Sequence, residues 1–238
     1  MYPGLIGENF YQVVSFKHKL IFLTPPRCST YSLKDLLNKG NIKMDEPLRP
    51  ISIPFYHATL SEIIYAYNIN LKDLKDYKII QITRNPIDRF ISSYFYQLLN
   101  FKFNHNFEDF ISKVERFKYL LPENPNEFFL NFYQNEEYKW YQYSVNQHGG
   151  VRFYYNQTWW NNISSKIKVN YFKLEDITKD ITPLLDCLDL DLPLTYNQIN
   201  SYSSSNPNFI EVKNSIHFYK NRIYNLFKKD FKKLNYAL

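Results

Sequence analysis

Arg27, Ser29, Thr30 and Ser32 stand close together, directly after Pro25 and Pro26. A forked cation among hydroxyl groups is a donor set for an oxyanion such as a phosphate. A second set of the same kind lies downstream, where Arg84 precedes Asn85-Pro86 and Ser92 follows two helical turns later. Between the two sets stands His57, with Glu62 a little over one helical turn beyond it. A loop histidine can move a proton near neutral pH, because its ordinary pKa is about 6.5. It can equally cap a helix or sit on the surface.

These residues need elements to position them. Leu20 to Leu23 is a short apolar run that reads as a buried strand. Two prolines stop it, since proline cannot donate to a sheet ladder. Leu33, Leu36 and Leu37 then follow a helical spacing, and the helix ends near Gly40 as C-cap. Strand, polar loop and helix together aim backbone N–H groups and a positive dipole end at an anion. The same stretch also reads as an ordinary strand-to-helix turn capped by Ser or Thr. It is not a Walker-type loop, because that motif needs G-x-x-x-x-G-K-[ST] and this loop has neither glycine nor lysine.

Tyr77 to Ile82 is a further strand, Asn85 a good N-cap and Pro86 a good first helical residue. Arg84 then stands at the carboxyl end of a strand, where ligands bind in open α/β sheets. The alternative is a plain capped helix with a surface arginine. If both junctions hold anions, the ligand carries two separated anionic groups. Ile51 to Phe55 is a short strand candidate with Pro54 at its end. Thr59 and Glu62 have capping-box spacing before the apolar Leu60, Ile63 and Ile64. His57 therefore sits in a loop between a strand and a helix.

Elsewhere, Gln12 to Phe16 is a weak edge strand and Lys168 to Lys173 another strand. Phe107, Phe110, Ile111 and Val114 form one helical face, read as core rather than as a base-stacking platform. Glu175 to Leu188 reads as a loop and an amphipathic helix with Pro183 early in it. Asn200 to Asn206 is a polar loop, and a long last helix runs from about Ser215 to Leu234. No internal repeat or linker divides the chain. The reading is α/β, a single domain over residues 1–238 with a central parallel sheet flanked by helices and a P-loop-like strand-loop-helix nucleotide site.

The 238 residues suffice for one domain with its own core. A net charge of +6 favours anionic partners, although a lysine-rich solvated surface gives the same number. No nucleic-acid-binding signature is present, so nucleic acid is not expected as a partner. Two cysteines, Cys28 and Cys187, make neither a disulfide framework nor a zinc cluster. Reduced thiols, no signal-peptide pattern and no long apolar run point to a cytoplasmic protein without an integral membrane segment.

Taken together, the two junctions resemble those of the sulfotransferase family. Pro26-Arg27-Cys28-Ser29-Thr30-Tyr31-Ser32-Leu33 is similar to the family's P-[KR]-x-G-[ST]-T-[ST]-L loop, with Ser29 in place of glycine and Tyr31 in place of threonine. Arg84 to Tyr94 matches the family's R-[ND]-P-x-[DE]-R-x-x-S-x-[YF] throughout. Phe172 to Ile177 resembles its late [RK]-x-E-x-[LI] strand end. Phe227 to Tyr236 resembles the last helix of its glycan-modifying branch.

The resemblance implies transfer of a sulfuryl group from 3′-phosphoadenosine 5′-phosphosulfate (PAPS) to an acceptor hydroxyl, first of all on a saccharide. The product nucleotide is 3′-phosphoadenosine 5′-phosphate (PAP). It implies that Arg27, Cys28, Ser29, Thr30, Tyr31 and Ser32 hold the 5′-phosphosulfate and that Arg84 and Ser92 hold the 3′-phosphate. It makes His57 the general base, with Glu62 in reserve and Arg27 stabilising the charge of transfer; no metal is required. The competing reading is a non-catalytic module of the same fold that binds nucleotide or glycan.

Overall fold

A computed structural model describes residues 12–28, 30–48, 57–101, 106–118, 155–161, 163, 167–191 and 208–238. The strand candidate at 51–55, the second helical stretch after Pro125, the loop at 147–150 and the polar loop at 200–206 lie outside the described residues. The chain is α/β. Its strands are β1 (Val14–Ser15), β2 (Leu20–Leu23), β3 (Lys78–Thr83) and β4 (Asn170–Lys173). Its helices are α1 (Thr30–Lys39), α2 (Leu60–Tyr67), α3 (Pro86–Phe101), α4 (Phe107–Lys118), α5 (Leu174–Ile177), α6 (Thr182–Cys187) and α7 (Phe209–Lys233). A 3₁₀ turn at Gln157–Asn161 proves central to the site.

The sheet is mixed rather than wholly parallel, in the order β1-β2-β3-β4. β1 runs antiparallel to β2, while β2 with β3 and β3 with β4 are parallel pairs. Only four residues lie between β1 and β2, enough for a hairpin but far too few for a parallel crossover. Leu23 is level with Gln81, and Thr83 with Lys173, so β2, β3 and β4 end on one edge. Every residue of β2 is buried, which is why its sequence is apolar without alternation.

One apolar cluster joins the sheet to α1, α2 and α6 through residues such as Ile21, Leu33, Ile63 and Leu184. A second joins α3, α4 and α7. Phe107, Phe110, Ile111 and Val114 are all buried in it, against Phe90 and Tyr94 of α3. That is the core role read from their spacing.

The end of α1 differs in detail from expectation. The left-handed residue that terminates it is Asn41, at φ 52, and Ile42 N–H reaches back to the Leu37 carbonyl at 2.9 Å. Gly40 packs against Leu190. A Cβ there would lie 2.8 Å from the Leu190 side chain.

Candidate active site

The first junction leaves β2 at Thr24 and turns at once. Cys28 N–H bonds to the Pro25 carbonyl at 3.1 Å across Pro26 and Arg27. Arg27 has φ 68. Proline in the second position and a positive φ in the third describe a type II turn, where glycine would ordinarily take Arg27's place. The turn thus holds an arginine in a strained backbone state, and its side chain is put to use. Arg27 Nε donates to Ser92 Oγ at 3.0 Å, and the guanidinium lies 4.8 Å from the centre of the Tyr96 ring.

Cys28 points the other way. It is fully buried and donates from Sγ to Gln157 Oε1 at 3.1 Å. Burial pushes its thiol up to about 12, so it is neither a thiolate nor a nucleophile at neutral pH. Ser32 is buried in the first turn of α1. Ser29 and the side chains of Thr30 and Tyr31 lie outside the described residues.

The second junction leaves β3 at Thr83. Asn85 caps α3 through its Oδ1, which accepts from Ile87 N–H at 2.9 Å, and Asn85 N–H donates to Glu175 Oε1 at 2.7 Å. Arg84 Nη1 reaches the Arg27 carbonyl at 3.4 Å, while Ser92 is buried beneath Arg27. The two junctions therefore touch, through Arg84 on the first loop and Arg27 on α3. Among the described residues no carboxylate lies within ion-pair distance of Arg84. A half-buried cation of that kind favours an anion from outside.

Behind the loops lies a buried polar scaffold. Arg89, 1% exposed, donates from Nε to the Pro26 carbonyl at 3.0 Å and from Nη1 to the Tyr155 carbonyl at 2.8 Å. Asp230 of α7 is fully buried and accepts from the Gln157 and Thr158 backbone N–H groups at 2.7 and 3.0 Å, and from Thr158 Oγ1 at 3.1 Å. Burial pushes the Asp230 carboxyl up, against the opposing pull of Arg89 and of those N–H donors. Tyr236 donates to Glu175 Oε2 at 3.2 Å and meets Thr83 Oγ1 at 3.2 Å. Glu175, Asp230 and Tyr236, the late positions of the sequence resemblance, thus converge on the back of the second junction.

His57 lies half-buried at the end of β2. Its Nδ1 is 3.1 Å from the Thr24 carbonyl, and its own carbonyl accepts from Trp160 Nε1 at 3.3 Å. A carbonyl can only accept, so Nδ1 carries a proton and, in the neutral ring, the lone pair is on Nε2. Glu62 is 2% exposed, and its Oε2 accepts from Thr59 N–H at 2.8 Å and Thr59 Oγ1 at 2.9 Å. This is the capping box at the start of α2, and it engages Oε2 of that carboxylate at the helix end. A cleft of about 550 Å³ opens beside Thr24. Its floor includes Phe22, Leu33 and Leu37, and its rim carries Lys34, Lys43, Asp45 and Glu46. Among the described residues no group of His, Cys, Asp and Glu side chains could hold a metal ion.

Sequence reasoning missed Gln157, which touches both junctions, and gave Arg89 no role. Arg89 was visible as a fixed position within the second motif. A weaker signal was Gln81, an amide inside the apolar run of β3. It is fully buried, donates to the Gln157 carbonyl at 2.7 Å and accepts from Asn161 at 2.8 Å. A polar residue inside a buried strand requires partners. No protein-family model, curated protein or solved structure matches the chain.

Proposed function

We propose that the chain is a PAPS-dependent sulfotransferase acting on an acceptor hydroxyl, with a saccharide as the first expectation. The observation that carries this reading is the meeting of the two junctions. Arg27 rests on Ser92 and Arg84 rests on Arg27, across 65 and 57 residues of sequence. Two cations on adjoining loops at the carboxyl edge of a sheet suit a nucleotide with two separated anionic groups. The hydrogen-bonded placement of Glu175, Asp230 and Tyr236 behind them supports the same reading.

Within it, Arg27 and the N–H groups at the start of α1 stabilise the 5′-phosphosulfate and Arg84 faces the 3′-phosphate, while Ser92, buried beneath Arg27, holds that guanidinium in place. His57 Nε2 takes the acceptor proton as the acceptor oxygen bonds to sulfur. The bond from sulfur to the bridging oxygen breaks with its electron pair on the leaving 5′-phosphate, whose charge Arg27 stabilises. Such a step depends on in-line positioning and electrostatics. The cleft is lined by Thr24, whose carbonyl holds His57 Nδ1. Its apolar floor and its rim of both charge signs support a hydroxyl-rich acceptor with an apolar face.

The test is calorimetric titration with PAP, AMP and ATP of the wild type and of Arg84→Ala. Expected are a clear preference for PAP in the wild type and a loss of about 10- to 100-fold in PAP affinity in the variant, the scale of one charged hydrogen bond. Equal binding of PAP and AMP would overturn the reading. Tight PAP binding with no transfer to any acceptor would leave the non-catalytic module. Where transfer is found, His57→Ala is expected to slow it by about 10²- to 10⁴-fold with PAP affinity unchanged.

A further inference from the structure

We propose that Gln157 is a positioning residue that clamps the Arg84 peptide and thereby sets the selectivity for a 3′-phosphorylated nucleotide; this rests on the sulfotransferase reading. Gln157 is fully buried. Its Oε1 accepts from Arg84 N–H at 2.7 Å, and its Nε2 donates to the Arg84 carbonyl at 2.7 Å. One side-chain amide therefore grips both backbone groups of one residue, much as a neighbouring strand would. With N–H and C=O both pinned, the direction in which the Arg84 side chain leaves the backbone is fixed.

The same Oε1 accepts from Cys28 Sγ at 3.1 Å, which ties the first loop to the second. The clamp is itself anchored. Gln157 N–H donates to Asp230 at 2.7 Å, and the Gln157 carbonyl accepts from Gln81 at 2.7 Å. Only an amide offers a donor and an acceptor in the geometry of a peptide pair. Glutamate lacks the donor, and asparagine is one methylene too short.

A residue that merely fills the interior would, when changed, weaken all nucleotides alike. A residue that aims Arg84 acts on the 3′-phosphate in particular, and the ratio of PAP to AMP affinity separates the two. The experiment is calorimetric titration of the full chain with PAP and with AMP, for the wild type, Gln157→Met and Gln157→Glu. Folding is checked by circular dichroism and cooperative melting.

The expected result is PAP affinity lower by about tenfold or more, as a misplaced binding group costs, with a smaller loss for AMP, so that the ratio of PAP to AMP affinity falls. If neither variant folds, Asp230→Asn takes their place, since it loosens the anchor of Gln157 while keeping an oxygen acceptor; the same ratio is expected to fall. A wild-type preference for PAP that survives unchanged in a folded variant overturns the role of Gln157 alone. A wild type with no such preference overturns the sulfotransferase reading and this inference with it.

Discussion

Arg27 combines two demands that usually fall on different residues. Its backbone occupies a conformation that suits glycine, at φ 68, while its guanidinium is the first loop's cation. A left-handed residue with a side chain costs about 1–2 kcal/mol, whereas glycine in the unfolded chain costs about 0.5–1 kcal/mol of extra entropy. Arg27→Gly is therefore expected to leave stability within about 1 kcal/mol of wild type. It is expected to weaken PAP binding by about 10- to 100-fold. Paired thermal melts and titrations check this, and a large loss of stability would show that Arg27 is chiefly structural. At this scale the spacing of Arg84 and Ser92 marked the second junction in the sequence, whereas the contact of Ser92 with Arg27 of the first loop was not legible there. Gln157 was not legible, because its value depends on partners at 28, 81, 84 and 230 that only the fold brings together.

The elements were legible where a local signal ends them. Leu20–Leu23, stopped by two prolines, is the strand its apolar run describes. Asn85-Pro86 opens α3, and Thr59 with Glu62 opens α2, each by the expected cap. The capping box also settles what Glu62 does in the fold. Thr59→Ala is expected to lower stability by about 1 kcal/mol, the ordinary worth of an N-cap, without changing the turnover of folded molecules. Denaturant titration beside a transfer assay checks it, and a matching loss of turnover would return Glu62 to the site. The last helix was read less well. α7 begins at Phe209, six residues before the expected start. Ile210 in that first turn is 69% exposed, so the apolar periodicity that marks a helix face is broken there.

Across the whole molecule, α4, α7 and the loops meet at one buried electrostatic knot. Lys118 ends α4 with its Nζ buried, without a hydrogen-bond partner among the described residues, 4.6 Å from the centre of the Phe227 ring. Burial lowers its amine from 10.5 to about 8; Asp230 opposes that shift, and Arg89 and Lys229 reinforce it. Between these two values the unfolded chain binds more protons than the folded one, so this group makes folding more favourable as pH rises through the window. Lys118→Met is expected to stabilise the protein at pH 7 by about 1–3 kcal/mol, the ammonium's desolvation less its contact with the ring. That advantage should shrink between pH 8 and 10.5. Melting curves of both proteins across that range check the sign. A constant difference would mean that the amine titrates normally.

The thiol of Cys28 lies in the seam between the two loops, fully buried and pushed up to about 12. Cys187 is also reduced but only partly covered. An alkylating reagent therefore meets two cysteines that keep different time. Cys187 is modified at the pace of a partly covered thiol, and Cys28 only during the moments when the loops part. The chain thus contains its own stopwatch for opening of the site, and any nucleotide that bridges Arg27 and Arg84 would slow it.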